Sequence, residues 1–286
     1  MNHDPKITVL WLLPATVWHV PCATADDKAI WTGPRWVVGE TLYVEWRWKN
    51  DLTWSGDEVP EGGWEARNDS VLGCLLRVDE VSEAGNVRIT LTLDRLASSE
   101  EDPSGKVSFD SDRESRTNET SPFGHLATLV LGSQLTMEVK DYGRKIAVSG
   151  AGAIRQKIEA SGLDEDAYGI LKNFVDNESQ RFLWERFYAL YPCKEAREDT
   201  RWTTQVKSPR KLHAYEYEIE DIEETGDTIM VRVVYSGTSR PLPEFAPERL
   251  PDGTEHTYGV ARIRGSALLD AKRGQVVAGI GTIDVD

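Results

Sequence analysis

Val87, Ile89, Leu91 and Leu93 alternate strictly with Arg88, Thr90, Thr92 and Asp94. A side-chain period of two belongs to a strand with one buried and one wet face, the pattern of an antiparallel sheet packed on one side only. The same alternation runs through Thr41 to Trp48, with Leu42, Val44, Trp46 and Trp48 on one face and Tyr43, Glu45 and Arg47 on the other. Leu135, Met137 and Val139 repeat it, and Ile146 and Val148 return after the turn Asp141-Tyr142-Gly143. Ser82-Glu83-Ala84-Gly85-Asn86 has hairpin length and a glycine for positive φ.

The middle of the chain changes period. Ala153 to Ala160, Asp164 to Val175 and Glu178 to Tyr191 read as helices, with Asn177 as N-cap, Gln180 three residues on, and Pro192 as the stop. Phe182, Leu183, Phe187, Leu190 and Tyr191 give the last helix a broad apolar stripe, read as core packing.

After Pro192 the strands resume, and the chain resembles itself. Glu40 to Tyr43 recurs as Asp199 to Trp202, Val78 to Asn86 as Ile219 to Asp227, and Gly132-Ser133 with the turn through Gly143 as Gly265-Ser266 with the turn at Gly274. The expected fold is α+β, mainly antiparallel β: two degenerate copies of a curved β-meander unit with a helical segment between them. The expected limits are a signal peptide over 1–25, a first β-unit over 26–150, a helical segment over 151–192 and a second β-unit over 193–286. The offsets between copies leave about eighteen extra residues of the first copy in Lys49 to Ser70 and about eight in Ala97 to Ser121. Both stretches read as surface loops, the second polar and mobile, and loops are where binding residues concentrate.

Six of the ten tryptophans lie between Trp31 and Trp64. Trp46 and Trp48 share the apolar strand face and read as core. Trp54 and Trp64, in the Gly-rich stretch, are the candidate ligand-binding residues, because exposed aromatic rings stack on sugars and apolar ligands. Asp110-Ser111-Asp112 with Glu114 is loosely calcium-like but lacks the glycine and distal glutamate of an EF-hand loop. Asp164-Glu165-Asp166 suits the first turn of a helix, where acids complement the dipole. His125, His213 and His256 stand in no metal-binding spacing, and no serine sits in a nucleophile elbow. No catalytic residue, metal site or cofactor is therefore assigned.

A net charge of −15 disfavours nucleic acid, since a polyphosphate is repelled rather than bound with counterion release. Ile7 to Trp18 is an uncharged apolar run, too short to span a membrane. Ala23-Thr24-Ala25 follows with the small-x-small pattern of a cleavage site, which reads as a secretory leader. A hydrophobic N-terminal strand is the alternative. Without residues 1–25, Cys74 and Cys193 remain, as two buried thiols or one disulfide.

The order of elements carries a family resemblance. Phe109-Asp110-Ser111, the hairpin from Leu131 to Gly150, then Leu190-Tyr191-Pro192 and Asp199-Thr200 before Trp202 resemble a family of exported bacterial proteins of unknown function, frequent in planctomycetes and Bacteroidota. The likeness runs from about Val38 to the C-terminus and departs at Glu198, where such proteins usually have glycine. It implies export and the two-unit β architecture, and no activity. The expectation is an exported, non-enzymatic cell-envelope protein that binds an apolar small molecule or an envelope protein, with no nucleic-acid partner and no transmembrane span after leader cleavage. An extracytoplasmic hydrolase using carboxylates of the first-copy loops and a carbohydrate-binding module are the alternatives.

Overall fold

The computed structural model describes residues 2–3, 6–12, 29–55, 64–103, 105–113, 122–163, 176–208, 210–242, 248–249, 255–256 and 260–285. Three short or N-terminal strands come first: β1 (Asn2–His3), β2 (Lys6–Leu12) and β3 (Ile30–Trp31). A five-stranded meander follows, made of β4 (Thr41–Ser55), β5 (Trp64–Val81), β6 (Val87–Asp102), β8 (Gln134–Lys140) and β9 (Lys145–Ser149), with β7 (Gly105–Asp110) paired to the outer end of β6. The helices are α1 (Pro122–Val130), α2 (Ala151–Ala160) and α3 (Asn177–Tyr188). After the short β10 (Glu195–Ala196), a second meander runs through β11 (Arg201–Lys207), β12 (Lys211–Thr225), β13 (Thr228–Pro241), β16 (Ala261–Asp270) and β17 (Gln275–Val285). The pair β14 (Glu248–Arg249) and β15 (Glu255–His256) lies between β13 and β16 in the chain.

The two meanders have the same up-and-down strand order, and every pairing is antiparallel. They form one sheet because β2 lies between them, paired to β17 on one side and to β4 on the other. The apolar segment read as a leader thus supplies a central strand, whose backbone groups are satisfied along both edges. Residues 13–28 and the expected helix over 164–175 lie outside the described residues.

Two further expectations change. Among the described residues the two stretches read as loops are largely strand: β4 and β5 pair from Thr41↔Arg77 out to Trp54↔Trp64, and Ala97 to Asp110 is largely the β6–β7 hairpin. Cross-strand pairs hold these extensions, including Arg47 on Asp69 at 3.1 Å and Asn68 on Glu100 at 3.0 Å. At α3 the N-cap is Asp176, not Asn177. The Asp176 carboxylate accepts from Ser179 N at 2.9 Å, while Asn177 Oδ1 is used one element away, accepting from Ala151 N at the start of α2.

The core has two connected parts. Under the first meander, Trp46, Leu72, Leu76, Ile89, Leu91, Leu135 and Met137 pack on Leu126 and Val130 of α1, Ile154 and Ile158 of α2, and Trp184 and Tyr188 of α3. Trp46 and Trp184 meet edge to face, centroids 4.9 Å apart, a favoured aromatic geometry. Under the second meander, Tyr215, Tyr217, Ile219, Val231, Val233, Ile263 and Leu269 pack with Ala189, Tyr191 and the partly buried Phe182, Phe187 and Leu190. Trp202 stacks on Tyr217 at 5.2 Å, and its indole N–H donates to Ala189 O at 3.0 Å.

Glycine is required where Tyr235 lies flat across the sheet. Its register row reads Tyr217, Tyr235, Gly265, Gly281 across four strands, and its hydroxyl donates to Ile280 O at 3.3 Å. A Cβ at 281 would stand 2.5 Å from Tyr235 Oη, with the next nearest atom at 3.4 Å. Gly281→Ala is therefore expected to cost about 1–3 kcal/mol. Tyr235→Phe removes the colliding oxygen, so the double variant should lose less than the sum of the singles. Urea denaturation of the four-member cycle reads that coupling, and strict additivity would refute the contact.

Candidate functional site

Two places gather polar chemistry. The first is on the outer face of the first meander, where alternation turns Glu45 and Asp110 away from the core and the bulge between Leu93 and Arg95, opposite Gly73 and Cys74, turns Arg95 the same way. The Arg95 guanidinium donates to Glu45 at 2.8 Å and to Asp110 at 3.0 Å, and its Nε lies 3.0 Å from an Asp112 oxygen. Gly73 leaves room for this crowding: a Cβ there would run into the Tyr43 hydroxyl and stand 2.8 Å from Arg95 Cβ. Tyr43 is pushed up to about 12 by burial first and by Glu45 second, so it stays a neutral phenol. A cleft of about 220 Å³ opens beside the cluster, bordered by Arg47, Asp69, Ser99, Ser108, Asp110 and Arg113 over a floor of Val71 and Ala97.

The cleft joins the two longer stretches of the first meander, since Asp69 comes from Lys49 to Ser70 and Asp110 from Ala97 to Ser121. Of the acids that read as loosely calcium-like, Asp110 and Asp112 face a guanidinium, and Glu114 lies outside the described residues. Ser111 between them is buried, and its hydroxyl accepts from Leu96 N at 3.1 Å. A catalytic carboxylate pair works by holding its members at different proton affinities. Here one fork of donors binds three carboxylates, the chemistry of an ion-pair brace.

The second place is a cavity between α3 and the inner face of the second meander. It has a volume of about 30 Å³ and is lined by Arg186, Phe187 and Leu190 of α3 and by Tyr215, Tyr217, Tyr235, Ala267 and Val276 of the sheet. Burial raises the Tyr215, Tyr217 and Tyr235 phenols, opposed by the positive charge of Arg186, so all three remain neutral hydroxyls. Arg186 Cζ stands 5.6 Å from the Tyr215 ring centroid and 5.7 Å from that of Phe182, within cation–π range. His213 lies beside this wall, 4.6 Å from Phe182 and stacked on Tyr215 with the ring planes 7° apart. A larger open groove of about 740 Å³ lies over the opposite face of the same strands, with a floor of Ala214, Ser236 and Gly237 and long side chains such as Glu216, Arg262 and Arg264 at its rim.

Trp54 and Trp64 are brought together as Cα partners at the far end of the β4–β5 hairpin, and their side chains lie outside the described residues. Trp46 is in the core as expected, while the Trp48 side chain is likewise outside the described residues. Of the three histidines, His213 is buried and His125 half-buried on α1; the His256 side chain is not among those described. Cys74 and Cys193 are free thiols. Burial raises both, Cys193 to about 11, where its Sγ lies 3.4 Å from Tyr142 O. No helix among the described residues is long and apolar enough to cross a membrane.

Sequence reasoning missed Arg186 and the tyrosine wall. Their signal was present, in the run His213, Tyr215, Tyr217, Ile219 at period two and in an arginine between the aromatic positions Phe182 and Phe187, but it reads as core from either element alone.

Fold and cavities together define a mainly antiparallel α+β protein with one helix packed across two like meanders. The chain belongs to a family of unknown function, DUF6263, whose model matches residues 84–238, from the β5–β6 turn through most of β13. That span takes in Arg95, α3 and the tyrosines of β12 and β13. No curated protein and no solved structure matches the chain.

Arg95→Met would leave Glu45 and Asp112 without the guanidinium that pairs them, and Asp110 with only the exposed Arg113 at 3.7 Å. Breaking a buried ion pair costs about 3–5 kcal/mol, discounted for partial exposure to about 2–3 kcal/mol. Arg95→Lys should lose less, because it keeps the charge and loses only the fork. Urea denaturation at neutral pH separates the two.

His213 should make the fold acid-sensitive. Burial, then the charges of Arg186 and Lys211, lower its pKa to about 3 from 6.5. As pH falls through 6.5 the unfolded chain takes up a proton that the folded ring refuses, so stability is lost by up to about 1.4 kcal/mol per pH unit, down to the folded value. Between pH 6.5 and 4.5 wild type should lose about 2 kcal/mol more than His213→Gln, measured by chemical denaturation. Parallel curves would show that the ring is not buried neutral.

Proposed function

We propose that this chain is an exported, non-enzymatic binding protein of the cell envelope, built from two copies of one five-stranded meander. Its ligand site is the aromatic cavity beneath α3. The observation that carries the reading is that cavity itself, where neutral phenols and aliphatic groups from four strands converge on one face of a helix. Such a concave, mostly apolar surface with a few polar groups is the usual form of a small-molecule site. The enclosed volume holds about two waters, so it grips one end of a ligand, an apolar small molecule or a side chain of another envelope protein, and the remainder lies at its mouth.

The reading of two copies is supported by their equal strand order and by the place of the repeated segments, which fall at the β5–β6 and β12–β13 turns and at the last hairpin of each run. The non-catalytic reading is supported by the Arg95 brace, which engages Asp110 and Asp112 of the second segment, with Glu45, in ion pairs. Export is supported by the apolar run and the Ala23-Thr24-Ala25 pattern. The same run is strand β2 in the structure, so cleavage after Ala25 would take out the strand that joins β17 to β4 and leave α3 as the element packed against both meanders.

Two measurements on protein expressed with its own N-terminus test this. N-terminal sequencing of the extracytoplasmic fraction is expected to begin at Asp26, and an intact residue 1 in the cytoplasm would overturn export. Native mass spectrometry is expected to show a solvent-extractable adduct on wild type that is lost in Ala267→Leu, which fills the cavity. Preparations that repeatedly carry no adduct would overturn the ligand site.

A further inference from the structure

Arginines of the described chain are usually paired: Arg47 with Asp69, Arg95 with three acids, Arg155 with Asp176, Arg181 with Glu178 and Glu185. Arg186, one turn from Arg181 on the same helix, meets no carboxylate among the described residues. Its recorded contacts are the faces of Phe182 and Tyr215. An aromatic face attracts the charge but does not satisfy the five in-plane N–H donors of a guanidinium.

Three buried polar atoms on the same sheet face are also without hydrogen-bond partners: Tyr215 Oη, whose residue lines the cavity, and His213 Nδ1 and Ser239 Oγ, whose residues lie next to Tyr215 outside that lining. The register makes them neighbours, since His213 and Ser239 are Cα partners across β12 and β13, and Tyr215 is the next residue on the same face. These side chains are between 2% and 9% exposed. Buried polar groups in native cores are nearly always hydrogen-bonded, so three orphans beside an unpaired cation point to a partner from outside the chain. All four groups are able to donate: the guanidinium, two hydroxyls, and a neutral imidazole in its Nδ1–H tautomer. What satisfies several donors around a cation is an anion, and a carboxylate matches the guanidinium fork with two parallel bonds. The cavity of about 30 Å³ is of carboxylate size; besides Arg186, the tyrosines and Ser266 its lining, Phe187, Leu190, Ala267 and Val276 among them, is apolar.

We infer that the ligand of this cavity is an organic carboxylate with an apolar body, its charged end held by Arg186 together with Tyr215 and its neighbours. This rests on reading the cavity as the ligand site. Arg186 is half-buried, and a cation held against aromatic rings without a counter-ion is costly in the empty protein in proportion to that burial, which is the condition expected of a group kept for binding rather than for stability.

Isothermal titration of the full chain with sodium octanoate and with octan-1-ol, equal in length and different in charge, tests it. Octanoate is expected to bind about ten- to a hundredfold more tightly, the range of a charge-assisted hydrogen-bonded pair. Arg186→Met should bring octanoate down to the level of octanol while its unliganded Tm stays equal or rises. Tyr215→Phe should weaken octanoate several-fold and leave octanol unchanged. Equal binding of both probes by wild type would overturn the carboxylate and leave an apolar site. A charge preference that survives Arg186→Met would overturn the role of Arg186. Failure of both probes to bind would overturn the inference and the ligand site together.

Discussion

Everything under the sheet depends on one helix being apolar on two sides. Trp184 and Tyr188 of α3 enter the core of the first meander, Phe182 packs into that of the second, and Phe187 touches both. A helix with one apolar stripe buries against one layer; α3 has to be covered twice, and only a sheet long enough to pass beneath both faces does so. The continuous strand order, with β2 between the two meanders, supplies that length. The edge-to-face contact of Trp46 with Trp184 and the bond from the Trp202 indole to Ala189 O anchor the two ends of the arrangement.

The two meanders use this scaffold differently. The first is filled by three helices, and its polar chemistry is on the outer face, where Arg95 draws together acids from the lengthened hairpins. The second is covered by α3 and the residues just after it, and aromatic side chains take the space that α1 and α2 occupy in the first. Tyrosines are suited to this because each carries a large apolar ring and one polar tip. Tyr235 lies over Gly265 and Gly281, and Tyr215 crowds Gly237, so the sheet gives up side chains where the phenols lie down. The cavity by Arg186 is what this packing leaves open.

How the longer hairpins of the first meander are built shows where reading from sequence stops. Lys49 to Ser70 and Ala97 to Ser121 are polar, and polar stretches between strands read as loops. In the structure much of both is ladder, because Asn68 and Ser70 find Glu100 and Ser98 directly across the strands and Arg47 reaches Asp69 diagonally. Polarity was legible, but pairing was not, since a cross-strand partner is twenty to thirty residues away. The N-cap moved by one residue for a similar reason: Asn177 was competent to cap α3 but is engaged by Ala151 N from α2.

The period-two alternation by itself determined the antiparallel class, the hairpin turns and which face of each strand is buried, because a strand's side chains alternate whatever it pairs with. Tertiary structure alone decided that the two meanders are one sheet, that α3 serves both, and that Arg186 faces a wall of tyrosines with no acid of the described chain beside it. These are contacts between segments far apart in the chain. Local pattern records only that a residue is buried, and not what it is buried against.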